Sequence, residues 1–271
     1  MTAATVSTNP VVVEKDGPVT VVTLNRPFAR NAVNNDAARA LVAAFEEFDR
    51  DEHASVAVFT GADGAFCAGG DLKEVTATGA REWLGDLNIP AGDGEFPRGP
   101  MGPSRMELSK PVIAAVAGPA TAGGTELALW CDIRVLERSA YFGIYCRRWG
   151  IPLLDGGTVR LPRLVGQGRA LEIILTGRKV SAEEALAIGM CEKVVPDGQA
   201  LAAAMEMAHL ISGFPQECVR ADLASVKGQY GLPVAEALRQ EWYGGVASMR
   251  DEGVAGAARF VGGAGRGGQL A

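Results

Sequence analysis

Short β-branched runs, each closed by a glycine- or proline-rich turn, set the pattern along most of the chain. Residues 11–14 and 19–24 flank Asp16-Gly17-Pro18, which predicts two paired strands around a tight turn. Asn34 precedes a segment reaching about Asp49 in which Leu41, Phe45 and Phe48 recur at helical spacing, so a capped amphipathic helix is expected there. Residues 56–60 and 112–116 are continuous apolar runs bounded by turns, the signature of buried strands. From about Thr76 to Pro103 the periodicity is lost and Gly and Pro accumulate, including the segment 89–94, which predicts a mobile loop. Residues 106–108 read as the end of a helix before Pro111. A helix reaching about Trp130 follows, then a strand over 133–136 and short helices over 158–164, 170–174 and 182–187. Beyond about Gln199 the pattern is helical, divided at Pro215 and Pro233, with the glycine-rich 262–268 as a loose end.

Composition narrows the class of protein. An apolar content of 48% with 21% charged residues suits a globular chain of 271 residues with a full core. No apolar run is long enough to span a bilayer, and Met1–Val6 does not form a basic region followed by an apolar stretch. The expectation is therefore a cytoplasmic protein with no membrane partner. Five scattered cysteines lack metal-ligand spacing and read as reduced thiols. The two histidines, His53 and His209, lie outside the glycine-rich segments, which argues against a histidine triad or a zinc site. A net charge of −6 without a basic stripe excludes nucleic acid as the expected partner. No Gly-x-Gly-x-x-Gly follows a strand, so no dinucleotide cofactor is called for.

Two segments carry the chemistry: Ala65-Phe66-Cys67-Ala68-Gly69-Gly70-Asp71-Leu72, and Gly118-Pro119-Ala120-Thr121-Ala122-Gly123-Gly124-Thr125-Glu126. Each follows a buried-strand run and precedes a helix. The first amides of a helix have no intrahelical partner and lie at the positive end of its dipole. Two such turns aimed at one point would donate two N–H groups to one oxygen, an oxyanion hole. Glu126, in the first turn of the second helix, would stand beside that point. Chemistry on a carbonyl compound that passes through an enolate is the resulting expectation.

These segments resemble the crotonase superfamily, the enoyl-CoA hydratase/isomerase family. The resemblance runs from about Val19 to Val195. It includes Leu24-Asn25-Arg26-Pro27 with Asn31-Ala32, Cys131-Asp132-Ile133-Arg134-Val135, Gly156-Gly157-Thr158, Leu175-Thr176-Gly177 and Ser181-Ala182-Glu183-Glu184-Ala185. It implies an α/β fold, a spiral of ββα units over residues 1–198, with a helical C-terminal subdomain over 199–271 that serves oligomerisation and closes the CoA site. It also implies a homotrimer or a dimer of trimers. The oxyanion amides would be those of Ala68 and Gly123, and Glu126 would be a catalytic glutamate. Arg26, Arg30 and Lys73 are the cations beside family motifs, and with Ala68, Asp71 and Leu72 they form the expected CoA-binding set. CoA enters as part of the substrate, and no separate cofactor is implied.

The chain departs from the hydratase pattern at one place. A second glutamate is expected a few residues after a Phe-Gly, but Phe142-Gly143-Ile144-Tyr145-Cys146 puts Cys146 there. A thiol with an ordinary pKa of about 8.5 is a weak substitute, so Cys146 reads as pocket wall. Asp155, ahead of Gly156-Gly157-Thr158, resembles the extra aspartate of dienoyl-CoA isomerases, although turn chemistry alone also accounts for an aspartate there. The leading expectation is an enoyl-CoA hydratase. The alternatives are an enoyl- or dienoyl-CoA isomerase using Glu126 and Asp155 as an acid/base pair, and a weakly catalytic acyl-CoA sensor or scaffold.

Overall fold

Gly17, at φ +56°, closes the turn between β1 (Val11–Asp16) and β2 (Val19–Leu24), which pair antiparallel. The structure is a computed structural model that describes residues 9–85, 87–90 and 96–268, so Met1–Val6 and most of the segment 89–94 lie outside the described residues. In α1 (Asn35–Arg50) the Asn34 side chain accepts the Ala37 N–H, as the capping pattern predicts. The apolar stripe of α1 packs on the sheet, where Phe45 meets Phe59 and Trp130 edge-on at 5.5 and 4.8 Å. β3 (Val56–Gly61), β4 (Val112–Val116), β6 (Ile133–Glu137) and β9 (Lys193–Val195) continue the sheet in parallel, in the order β1-β2-β3-β4-β6-β9. Both faces of this sheet are covered, which is why β3 and β4 read as unbroken apolar runs.

A second sheet is built from three very short strands, β5 (Pro119–Thr121), β7 (Tyr141–Gly143) and β8 (Lys179–Ser181), in the order β5-β7-β8. Three residues offer no periodicity, so these strands leave no pattern in the sequence. Helices α2 (Leu72–Thr78) and α3 (Ala80–Leu84) occupy the start of the stretch expected to be a loop. Its other end is not mobile, because Met101, Pro103 and Ser104 are buried. A 3-10 helical turn, Pro103–Arg105, stands in place of the helix expected over 106–108. α4 (Gly123–Trp130), α5 (Gly157–Val165), α6 (Gln167–Thr176) and α7 (Ala182–Ala187) follow the sequence pattern closely.

The division at 198/199 is corrected by α8 (Ala200–Ser212). Its stripe Ala200, Ala204 and Ala208 packs against Val19, Val58, Ile113 and Val135 on the outer face of the main sheet. Small residues at helical spacing let that backbone approach the sheet closely, so α8 is a layer of the core. The peripheral part begins after Gly213 with α9 (Gln216–Gly228), α10 (Val234–Ser248) and α11 (Val254–Val261). Among these three helices only Ser248 is buried. An ion pair from Lys227 Nζ to Asp132 Oδ1, at 2.6 Å, ties α9 to the turn ahead of β6.

Candidate active site

The two glycine turns are laced together by backbone hydrogen bonds. Phe66 and Cys67 both donate N–H to the Pro119 carbonyl, and Thr121 N–H donates to the Cys67 carbonyl at 2.9 Å. The Thr121 hydroxyl adds a bond to the Ala68 carbonyl at 3.2 Å. The approach is so close that a Cβ on Gly124 would stand 2.1 Å from the Cys67 carbonyl oxygen, which requires glycine there. Asn31, itself left-handed at φ 57°, holds the loop after β3 from behind. Its Nδ2 donates to the carbonyls of Ala62 and Ala65 at 2.8 and 2.7 Å, and its Oδ1 accepts the Arg26 N–H.

Following each amide corrects the expected oxyanion pair. The Ala68 N–H donates to the Arg30 carbonyl at 3.0 Å, so it is not free for a ligand. Asp71 N–H, three residues on, bonds the Val33 carbonyl, because residues 68–71 run alongside 30–33. Between them Gly69, at φ +96°, turns the chain, and the Gly70 N–H has no protein partner among the described residues. Gly123, the first residue of α4, likewise keeps its N–H unpartnered. The turns face one another: a Cβ on Gly69 would lie 3.2 Å from Gly123 N. Gly70 and Gly123 are therefore residues of these two neighbouring turns whose N–H groups, among the described residues, are left available to a ligand. Sequence reasoning missed Gly70, and the signal that could have found it is the glycine pair itself, since a positive-φ first glycine re-aims the amide of the second.

Glu126 is 2% exposed. Its Oε1 accepts the N–H groups of Asp155 and Gly157 at 2.9 and 2.8 Å. Burial, and secondarily the charge of Asp155, push its pKa up to about 8, with the two N–H bonds opposing the rise. Oε2 has no protein partner among the described residues, where the sealed and unpartnered polar side-chain atoms are Gln216 Oε1 and Arg220 Nε. Oε2 therefore opens onto accessible space. Cys146 is buried, and burial followed by the Glu126 charge raises its pKa, so the thiol stays protonated and forms wall. Gly157 leaves the room that Glu126 needs, since a Cβ on it would stand 3.0 Å from both Glu126 Cγ and Oε1. Gly157→Ala is expected to destabilise the fold by about 1–3 kcal/mol, the usual range for overpacking, and to lower turnover by displacing Glu126. Turnover measured beside a thermal melt checks this.

Asp155 touches Glu126 through its backbone, while its side chain is held by the 101–104 segment. Its own N–H binds Glu126 Oε1, and its Oδ1 is taken by the Met101 N–H and the Ser104 hydroxyl. Of the expected CoA cations, Arg26 is spent within the fold: it pairs with Asp71 at 2.9 Å and donates to the Ala32 carbonyl. Asp71 in turn caps α2 through the Lys73 N–H. Arg30 and Lys73 are exposed and carry no ion pair among the described residues, and Leu72 is exposed beside them. Among the described residues no cluster of histidine, cysteine and acidic side chains could hold a metal ion, and no helix is long and apolar enough to cross a membrane.

Two unpartnered backbone N–H groups on neighbouring turns, with a buried carboxyl of raised pKa in the helix that begins at one of them, are the kind of group that suits a carbonyl compound gaining negative charge as it reacts. The chain belongs to the enoyl-CoA hydratase/isomerase family, whose sequence profile matches residues 14–243. It is 41% identical over 244 residues to the enoyl-CoA hydratase EchA19 of Mycobacterium tuberculosis, covering 87% of each chain. It is 37% identical over 248 residues to the short-chain-enoyl-CoA hydratase of Clostridium acetobutylicum, covering 90% of this chain and 92% of that protein. A solved enoyl-CoA hydratase from Mycobacterium tuberculosis H37Rv superposes with a TM-score of 0.83 at 33% identity, over 93% of this chain and 96% of that one. The α/β spiral fold is thus that of the family.

Proposed function

We propose that this protein is an enoyl-CoA hydratase that adds water across the double bond of a 2-enoyl-CoA. The observation that carries the reading is the pair of unpartnered amides, Gly70 and Gly123, on neighbouring turns, with a glutamate that has one free oxygen in the helix begun by Gly123. In this reading the thioester oxygen accepts both N–H groups. Glu126, as carboxylate, takes a proton from water while the water oxygen bonds to C3, and electrons move onto the thioester oxygen as an enolate. The protonated Glu126 then returns that proton to C2, so the residue ends as it began. A pKa near 8 keeps its two protonation states close in energy, which suits transfer in both directions. Arg30 and Lys73 are the cations left to meet CoA phosphates.

Isomerisation is the second reading, because a single carboxyl with a free oxygen can remove one proton and return it elsewhere, and Cys146 stands where a second glutamate would. Incubation with 2-enoyl-, 3-enoyl- and dienoyl-CoA esters separates the two. Loss of conjugation with gain of one water in mass supports the hydratase. A moved double bond at constant mass supports the isomerase, and binding without turnover on any ester supports a sensor.

The reading includes a homotrimer or dimer of trimers, supported by large apolar side chains on the peripheral helices such as Trp242 and Tyr243, which are 67% and 72% exposed. It also includes a cytoplasmic location, with which five unpaired thiols agree, and no cofactor beyond the CoA of the substrate.

A further inference from the structure

The carboxylate of Asp155 is held by different partners from that of Glu126. Its Oδ1 accepts the Met101 N–H at 2.9 Å and the Ser104 hydroxyl. Residues 99–102 form a tight turn closed in both directions, with Gly99 and Gly102 exchanging N–H···O bonds of 2.9 Å. Arg160 bridges the same two segments, donating to the Asp155 carbonyl at 2.8 Å and to the Ser104 carbonyl at 2.7 Å. The turn has no slack. A Cβ on Gly99 would stand 1.9 Å from Ser104 Oγ and 2.6 Å from Asp155 Oδ1, and one on Gly102 would stand 2.6 Å from the Ala38 carbonyl in α1. The large side chain of this turn is Met101, which is 2% exposed and lies against Gly123. A Cβ on Gly123 would be 2.6 Å from the thioether sulfur.

We propose that Asp155 is a positioning residue that locks the 99–102 turn, so that Met101 closes the acyl pocket beside the Gly123 amide and limits the bulk of acyl group admitted. This rests on the acyl-CoA reading of the same site. The lock requires only an accepting oxygen on residue 155, which an amide side chain also provides. Proton transfer through Asp155 would instead require a carboxyl group. Substitution by Asn or by Ala therefore separates the two roles.

The test compares the parent with Asp155→Asn, Asp155→Ala, Gly99→Ala and Met101→Ala on 2-enoyl-CoA esters of increasing chain length. Backbone hydrogen exchange over 99–104, read by mass spectrometry, accompanies the kinetics. Asp155→Asn is expected to stay within about tenfold of the parent in kcat/KM, with the same chain-length order and the same exchange. Asp155→Ala should lose on the order of 10²-fold, the scale of a displaced site, with faster exchange over 99–104. Gly99→Ala should follow it, although it removes no carboxylate. Met101→Ala should move the preference towards bulkier acyl groups while exchange stays slow. Asp155→Asn crippled as severely as Asp155→Ala, yet with parent-like exchange, would overturn the proposal in favour of proton transfer. An unmoved chain-length order in Met101→Ala would overturn it as well. If the parent turns over no acyl-CoA, the proposed activity fails by itself. The lock is then decided by exchange, and the role of Met101 by the affinities of the same esters.

Discussion

Glu126→Gln is expected to lower turnover of the best 2-enoyl-CoA by about 10²–10⁴-fold, the range of general acid–base assistance, while acyl-CoA affinity changes little. Glutamine can keep a carbonyl oxygen where Oε1 accepts the Asp155 and Gly157 N–H groups, so the shape of the site survives. What is lost is the group that takes and returns the proton. The pH profile carries the same information. Because the carboxylate form activates water, kcat/KM of the parent should rise with pH through about 8, and that limb should vanish in the variant. For folding the sign is opposite. The carboxyl has a pKa of about 8 in the folded chain against 4.5 unfolded, so its contribution to stability is fully present below pH 4.5 and is lost as pH rises through about 8. Glu126→Gln should therefore melt progressively higher than the parent as pH climbs through that window. Parent-like turnover in the variant would leave Glu126 a helix-dipole residue. A melting difference independent of pH would show that its burial does not act through ionisation.

The second large effect is expected at Gly70. Gly70→Pro deletes the N–H assigned to the enolate oxygen, and the loss of one such donor costs about 2.7–4 kcal/mol, or 10²–10³-fold in turnover. Gly70→Ala keeps the N–H and is sterically mild, since its Cβ would meet nothing nearer than the Trp83 ring at 3.6 Å. A loss of only several-fold is expected for it. The pair isolates the amide from the side chain, with thermal melts confirming that both variants fold. Equal losses in the two variants would remove Gly70 from the oxyanion site. Ala68→Pro is no substitute as a test, because the Ala68 N–H ties the turn to the Arg30 carbonyl and its loss would disturb the fold itself.

The features legible along the chain are those written in local pattern. α1 is announced by Asn34 and the spacing of Leu41, Phe45 and Phe48, and β3 and β4 by apolar runs that end at turns. Glu126 is legible because its distance from Gly123 places it in the first turn of α4 whatever surrounds it. The role of Arg26 was not legible, since Asp71 lies 45 residues away and only the fold brings the pair to 2.9 Å. Nor was the place of α8, whose alanine stripe predicts a helix equally well whether it covers a sheet or stands apart.

Which amides face the substrate depends on the pairing of residues 68–71 with 30–33 and on the left-handed turn at Gly69, neither of which follows from composition or spacing. The task of Asp155 was hidden for the same reason, since its partner Met101 is 54 residues away, in a stretch without periodicity. By itself, then, the sequence determined the longer strands and helices, the two glycine turns and the residue types available for chemistry, because dihedral preference and hydrophobic period act over a few neighbouring residues. The tertiary structure alone decided which N–H groups stay free and which partners hold each buried carboxyl, because a hydrogen bond between distant segments consumes a donor that local pattern leaves uncommitted.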